Sequence, residues 1–521
     1  KGGKGGGGSP APPRTPVEAP NTLRSRATAR ILDVISEGQI GGLVNGAKSI
    51  YFNDTPLLNA SGESNFKNVA WAQRFGLPTQ TYVPGFPSVE AETTVGKDVT
   101  TTTPAIESTT AADIDAMRVT LSFDALYIQD KTTGDVNGYS ASVRISHKLS
   151  SSSIWTVILN DTITGKTMTR WEKDYRIERP AGNGIWDVKV ERTSLNDTDS
   201  SKKSMFSWER KTEINDVKIE YENTAYVALA IDSESTGGQV PKRSFDCYGL
   251  LVQVPVNYTP TQFDINGNVV AWSTLSGNWN GTFKTSFCDD PVWLIYDLLT
   301  DPRYGLGLDA AQIDTASFYA ASVYNNGLVP AIGSGSFQNV EPRFRWNGSL
   351  ATQSDSWKLL QAIAATCRAV VYESNGVVKM LQDRPTSTTR VFNNANVIAG
   401  VFEYTGTPIN TRYTAVNYSY SEPKDRYLPV TITEEAPIGD INIYGFNQVS
   451  IAGQGVTSET HARRMAKWIL ETGLNSTDVI KFGVGWRDAT IEPGEVVEVF
   501  DKTLNNSLAA GLIKSVSGTT V

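Results

Sequence analysis

Short runs in which apolar and polar residues alternate dominate this chain, and they predict strands. From 117 to about 230 the alternation is nearly continuous: MRVTLSFDALYI, YSASVRISHKL, WTVILND, WDVKVERT and NDVKIEYENTAYVALAID each read as a strand. Asn160-Asp161 and Gly182-Asn183-Gly184 read as turns between them, at the spacing of sandwiches and barrels. Upstream, ATARILDVISEGQIGGLVNGAKSIYFNDTPL (27–57) breaks apolar runs with glycine turns, with SIYFN as a strand and NDTP as a turn. Residues 93–110, eight of them Thr, predict a β-type connector or an exposed ribbon.

The period changes near 290. PVWLIYDLLT places Val292, Ile295 and Leu299 on one helical face, with Pro291 suited to a first turn. Asp314 suits an N-cap for IDTASFYAASVYNNG, and its Asn-Gly pair suits a stop. SDSWKLLQAIAATCRAV predicts a helix with Trp357, Leu360, Ala364 and Cys367 on its apolar face. AVVYESNGVVKML reads as a hairpin turning at Asn375-Gly376. Strands resume after 400, with one more helix, SETHARRMAKWILETGL, expected to end at Gly473. The last stretch reads strand, turn, strand and stops there, so further sequence is expected after it.

A chain of 521 residues exceeds one hydrophobic core, and several domains are expected. Its formal net charge of −8 provides no global basic field toward nucleic acid or anionic lipid. Three dispersed cysteines, Cys247, Cys288 and Cys367, have the spacing of neither a disulfide framework nor a zinc site. No run of 18 apolar residues predicts a membrane span. Residues 1–20 hold six Gly and five Pro and predict a flexible arm; they lack the apolar core of a secretory signal.

Candidate chemistry is sparse. His147 and His461 have no Cys or carboxylate nearby at ligand spacing. Gly165-Lys166-Thr167 ends like a phosphate loop, but Asn160 stands where that loop needs its first glycine. NDTDSSKKSM lacks the glycine and glutamate of a calcium loop and reads as a solvated turn. WSTLSGNWNGTFK and EPRFRWNGSL carry aromatics suited to packing. The sequence therefore points to no catalytic, cofactor-binding or metal-ligating residue. One stretch is tightly specified: in DLLTDPRYGLG, Asp301 and Pro302 end a helix, Arg303 and Tyr304 sit in the bend, and Gly305 and Gly307 follow. We read it as an architectural corner in which both glycines accept positive φ and Arg303 ties the turn through a guanidinium fork.

Several stretches, in order, resemble the lambda-like phage tail tip attachment protein J family, the host specificity proteins. They are VISEGQIGGLVNGAKSIYFNDTPL (34–57), YENTAYVALAIDSE (221–234), GLLVQVPVNYTP (249–260), NWNGTFK (278–284), WLIYDLLTDPRYGLG (293–307), VVKMLQDRP (377–385), HARRMAKWILET (461–472) and RDATIEPGEVVEVFD (487–501). The resemblance implies the hub half of such a protein: an α+β, predominantly β, multi-domain tail hub. Its parts would be the arm 1–20, part of a first hub β-barrel domain 21–116, an inserted β-rich domain 117–215, a return to the hub β domain 216–288, an α+β hub domain 289–400, and a second β-barrel-like domain 401–521. GAKSIYFNDTPL and PGEVVEVFDKTL share a faint turn–strand pattern that would suit two related hub domains.

The function implied is structural: a homotrimer closing the distal tube of a long non-contractile tail, and carrying the central fibre for host attachment and genome delivery. Partners implied are further copies of the chain, distal tail and other tail tip proteins, the tape measure protein, DNA passing through the lumen without specific binding, and a host receptor reached through C-terminal modules not seen in this sequence. No cofactor is implied. A tail-like bacteriocin or gene transfer particle hub is the alternative, and a surface carbohydrate-active enzyme with paired carboxylates a more distant one.

Overall fold

The computed structural model describes residues 14–23, 28–86, 88–236, 239–264, 268–331, 339–352, 354–409, 412–488, 490–504 and 508–512. The fold is α+β with strands predominating, and it divides into one unit ending at Cys247 and a second starting at Tyr248.

The first unit contains a two-sheet sandwich. One sheet orders Thr156–Gly165, Tyr139–Leu149, Trp186–Arg192 and Ala105–Ser108; the other orders Trp171–Glu178, Ala116–Phe123, Phe206–Asp216 and Ser88–Val99. Alternation aims Val143, Ile145, Val188 and Val190 from the first sheet and Val119, Leu121, Phe123 and Trp208 from the second into one core. The buried Trp186 indole N–H donates to the Ile114 carbonyl at 3.2 Å, so its polar edge is satisfied inside the core.

Two expectations change here. The Thr-rich stretch is exposed β-structure as expected, but it belongs to the sandwich: Ser88–Val99 and Ala105–Ser108 are edge strands, one on each sheet, so the sandwich starts near 88 rather than at 117. Asn160-Asp161 is no turn either. It lies inside the Thr156–Gly165 strand, where Lys173 and Tyr175 from the other sheet hold Asp161 at 2.6 and 2.7 Å. Those partners are distant in sequence, so local turn propensity lost to them.

Beside a small sheet of Val136–Asn137, Tyr127–Gln129 and Lys202–Lys203, the first unit has two further three-stranded sheets around a smaller core. Thr28–Glu37, Thr224–Asp232 and Val69–Phe75 form one; Arg243–Phe245, Ile50–Phe52 and Thr55–Pro56 form the other. Ile50, Phe52, Leu57, Val227, Leu229 and Ile231 meet between them. The predicted NDTP turn closes Ile50–Phe52 onto Thr55–Pro56, with Asn53 and Asp54 both at positive φ. Arg243 donates from Nε and Nη2 to both oxygens of Asp33, at 2.6 and 2.9 Å, and so joins the two sheets. Residues 14–20, expected as flexible arm, instead lie along the sandwich; residues 1–13 fall outside the described part of the chain.

The second unit is built on four helices. Pro291–Thr300, Thr315–Asn325, Ser356–Ala365 and Glu459–Asn475 share one core with the Ala369–Ser374/Val377–Gln382 hairpin and the Ala415–Glu422 strand. That hairpin turns at Asn375-Gly376, both at positive φ, as the sequence predicts. Asp314 caps its helix by accepting from Ala316 and Ser317 N–H groups. Trp357, expected in the core, is exposed; Ile363 takes the buried place with Leu360, Ala364 and Cys367. The last helix runs through Gly473 to Asn475, because Ala462, Met465, Ala466 and Leu470 fix its body on the core and a late glycine costs only about 1 kcal/mol. A separate small core gathers Phe392, Phe402, Phe482, Val484, Val497 and Val499. Closure of these sheets into barrels is taken up as a proposal below.

A single carboxylate anchors the start of the Glu459–Asn475 helix. Glu341, 4% exposed, accepts from Ser458 Oγ at 2.7 Å and from Arg464 Nη2 at 3.0 Å, with Arg345 3.6 Å away. Ser458 is also the helix N-cap, accepting from the His461 N–H. Glu341→Gln keeps the volume but leaves two guanidinium groups without their counter-charge. It should cost about 3 kcal/mol, read as a lowered denaturant midpoint of the whole chain. An unchanged midpoint would show that solvent supplies the missing charge.

Candidate functional site

The tightly specified corner is the exit of the Pro291–Thr300 helix, and its entrance is equally constrained. Asp290 is the N-cap: its Oδ1 accepts from the Val292 N–H at 3.0 Å. The same carboxylate, 1% exposed, also accepts from Asn325 Nδ2 (2.8 Å), Asn326 Nδ2 (2.7 Å) and Ser322 Oγ (2.5 Å), all at the C-terminal end of the Thr315–Asn325 helix. Ser322 accepts in turn from the Trp293 indole at 2.8 Å. Asp289, 2% exposed, accepts from Thr261 Oγ1 at 3.1 Å and Tyr258 OH at 3.3 Å, while its backbone carbonyl takes the Trp346 N–H at 2.8 Å. Two adjacent residues thus join a strand end, two helices and the 343–346 segment.

At the exit, Asp301 Oδ1 accepts from the backbone N–H groups of Arg303 (2.7 Å) and Tyr304 (3.1 Å). The chain then folds back on the helix: Leu306 N–H donates to Leu298 O, Gly307 N–H to Asp301 O and Leu308 N–H to Leu299 O, at 2.9, 3.1 and 2.8 Å. Orphan carbonyls of the last turn are thereby satisfied. Tyr304 OH donates to Asp297 Oδ2 at 2.7 Å. Pro302 and Arg303 are exposed.

The corner differs from the sequence reading in one respect. Gly307 has φ +64°, but Gly305 is not in the left-handed region. Gly305 is required by space instead, since a Cβ there would lie 2.5 Å from Leu298 O and 2.7 Å from Asp301 O. Arg303 joins the turn through its backbone N–H, which donates to the Asp301 carboxylate. A cleft of ≈ 30 Å³ between this corner and the Ser356–Ala365 helix, lined by Leu298, Tyr304, Leu306 and Leu360, has room for about one water.

The remaining candidates are occupied by structural work. The His461 ring is buried; its Nε2–H donates to Thr366 O at 2.8 Å, and burial together with Arg464 depresses its pKa to about 3. His147 bonds the Glu178 carbonyl through Nδ1 at 2.9 Å and sits edge-on to Trp186. Burial pushes the thiols of Cys247, Cys288 and Cys367 upward, away from reactive thiolate. In the calcium-like stretch Asp197 and Asp199 bond their own loop, at Ser204 and Ser201. The aromatics pack: Trp279 stacks on Tyr319, Phe283 on Tyr296, and Phe344 and Trp346 are buried. Among the described residues no three His, Cys, Asp or Glu side chains are placed to hold a metal, and no helix is long and apolar enough to cross a membrane. The Asp289–Asp290 node was missed in the sequence; the one signal for it was Asp-Asp directly before the helix-opening Pro291.

Comparison with known proteins finds similarity to phage tail proteins. The family described as "Tip attachment protein J, FNIII-A domain" matches residues 89–217, nearly the span of the sandwich, and the family described as "Putative phage tail protein" matches residues 355–509. The tip attachment protein J of Escherichia phage SECphi27 is 28% identical over 99% of this chain and 42% of its own length. That of Escherichia phage SECphi4 is 29% identical over 96% of this chain and 43% of its own. The chain therefore spans about two fifths of the curated relatives it matches. Among solved structures, a chain of the native gene transfer agent virion aligns at TM-score 0.33 and 15% identity, over 58% of this chain and 64% of that one. The 43 kDa tail protein of prophage MuSo2 from Shewanella oneidensis aligns at TM-score 0.26 and 10% identity, over 80% and 92%.

Two measurements test the corner. Gly305→Ala should cost about 1–3 kcal/mol because the methyl group must displace backbone carbonyls, and Gly307→Ala about 1 kcal/mol through its dihedral angle. Equal denaturant midpoints for wild type and Gly305→Ala would refute the steric account.

Burial, with Asp301 nearby, raises the Asp297 carboxyl to about 6 despite the Tyr304 hydrogen bond, and burial raises Asp290 to about 6 against its donors. A carboxyl whose folded pKa lies above its unfolded value makes the folded state bind the extra proton. Stability should therefore fall as pH rises from about 4 to about 6, and the charge penalty is complete above that window. Asp297→Asn keeps an acceptor for Tyr304 and removes one such charge. Thermal melts should show a gain of about 2–4 °C at pH 7 and less at pH 5; a uniform loss at both would contradict this.

Proposed function

We propose, from the premise that this chain is a tip attachment protein J relative of the phage virion's tail tip, that it forms the hub part of such a protein and acts as a trimer closing the distal tail tube. The observation that carries this is the match over 99% of the chain to tip attachment protein J of Escherichia phage SECphi27. The three-fold assembly, the central fibre, and contacts with tape measure and other tail tip proteins are parts of the proposal, as is receptor attachment through sequence that the longer relatives possess. In this reading the two three-stranded sheets around Ile50 and Leu229 and the small core around Phe482 are the hub's paired β-domains, which barrel closure would relate. The sandwich of 88–216 is the domain inserted into the first.

The role is one of scaffold rather than catalysis. Both histidines and the buried thiols serve packing and hydrogen bonding, and the most constrained polar residues, Asp289, Asp290 and Asp301, face protein donors. An acidic chain also suits a conduit for DNA, since it offers no basic field to hold phosphates.

Native mass spectrometry of tail tips released from particles should give three copies of the chain per tip, and antibody against it should decorate the distal tail end. A monomeric or hexameric stoichiometry would overturn the trimer, and label elsewhere on the particle would overturn the location.

A further inference from the structure

We propose that four arginines in the second unit, Arg343, Arg345, Arg368 and Arg464, form a binding site for a small inorganic oxyanion of the phosphate or sulfate type. Two belong to the stretch after Glu341, where half-buried Arg343 and Arg345 alternate with buried Phe344 and Trp346. Arg368 follows the Ser356–Ala365 helix, and Arg464 lies on the Glu459–Asn475 helix. Their contacts gather them around one carboxylate. Arg464 Nη2 donates to Glu341 Oε1 at 3.0 Å and to Arg343 O at 2.7 Å, and Arg368 Nη2 donates to Arg464 O at 3.1 Å. Arg345 Nη2 lies 3.6 Å from Glu341 Oε2.

The charges in this cluster do not balance. Glu341 already serves Arg464, Arg345 and Ser458. Arg343 donates through Nη1 to a carbonyl, Tyr324 O at 2.8 Å, and among the described residues neither Arg343 nor Arg368 has a carboxylate in ion-pair reach. Asp383, whose charge Arg368 also feels, accepts instead from the Trp468 indole at 2.7 Å. Three guanidinium donors, Arg464 Nε, Arg464 Nη1 and Arg368 Nε, are shut off from solvent with no acceptor among the described residues. Buried donors without acceptors are rare in folded proteins, and three in one cluster mark a place where an acceptor binds.

The local field points the same way. Burial, and then repulsion from Arg343 and Arg345, hold the Arg464 pKa below its ordinary value against the pull of Glu341. Burial, and then Arg464 and Arg343, act likewise on Arg368. A doubly charged anion gives these groups a shared counter-charge and takes up their unused N–H groups in charge-assisted hydrogen bonds. Aromatic rings hold the donors ready: Arg343 lies 4.0 Å over Tyr324, Arg345 4.4 Å over Trp272 and Arg368 5.4 Å over Trp468. The Arg345 and Arg464 side chains are only 14% and 21% exposed, so the cluster suits a single small anion and offers no groove to a polynucleotide. Small rotations of these long side chains would turn the inner N–H groups onto it.

Calorimetric titration of the full chain with sodium phosphate, against sodium chloride of equal ionic strength, tests the site. Phosphate should bind saturably, one per chain, and sulfate should compete. Arg343→Gln and Arg368→Gln should each weaken binding at least about tenfold. Glu341→Gln should tighten it at least about threefold, because a competing negative charge leaves the cluster; a cluster with a structural role alone would not respond so. Phosphate heats no different from those of chloride overturn the proposal. Unchanged affinity in both arginine variants, or weaker binding by folded Glu341→Gln, overturns it too. Should the variants fail to fold, crystals of the unaltered chain are soaked in selenate. Anomalous selenium signal among Arg343, Arg368 and Arg464 supports the site, and signal only elsewhere, or none, overturns it.

Discussion

Two neighbouring carboxylates withdrawn from solvent organise the second unit. Asp290 and Asp289 meet side chains or backbone from the 258–261 segment, the first two helices and Trp346, so four stretches of chain depend on one dipeptide. Burying such charges is costly, and the cost is bearable here because each oxygen faces donors. That requirement is directional in a way apolar packing is not. Ser322, Asn325 and Asn326 can satisfy Asp290 only from one helix end in one rotation, so the node sets how the two helices meet. The aromatic packing of Trp293, Tyr296 and Phe283 then fills a geometry already determined by hydrogen bonds.

The corner at 301–307 extends the same logic to the other end of the helix. Where the entrance is held by side chains from far along the sequence, the exit is held by its own neighbours: one Asp, three returning N–H groups and a glycine with no room for a methyl group. A helix clamped at both ends is a rigid body rather than a mobile element. In the first unit the comparable polar tie is Gln80. Its amide oxygen accepts from Gly76 and Leu77, while its nitrogen donates to the carbonyls of Glu220, Tyr221 and Thr224. A single buried side chain there pins the two flanks between which the sandwich is inserted.

Local signals in the chain were sufficient for several elements because their causes are local. Asn375-Gly376 demands positive φ, Asp314 caps the residues two and three ahead of it, and Pro302 forbids a helical predecessor. Alternation over 117–230 predicted the strands at 116–123, 139–149, 156–165 and 186–192, whose inward and outward faces follow the pleat, but not Trp171–Glu178 or Phe206–Asp216. Errors came where a tertiary contact overruled a local preference: Asn160-Asp161 became strand under Lys173 and Tyr175, and Trp357 turned outward while Ile363 turned in.

What the sequence by itself determined was the predominance of strands, the helices from 291 to 475, most of their caps and turns, and the kinship with tail tip proteins carried by colinear motifs. Tertiary structure alone decided the meaning of Asp289, Asp290, Gln80 and Lys166, because each is a polar side chain whose burial is acceptable only beside partners many residues away. It also decided why Gly305 must be glycine: the reason lies in the carbonyls of Leu298 and Asp301 folded over it, and no dihedral preference readable in the sequence would reveal them.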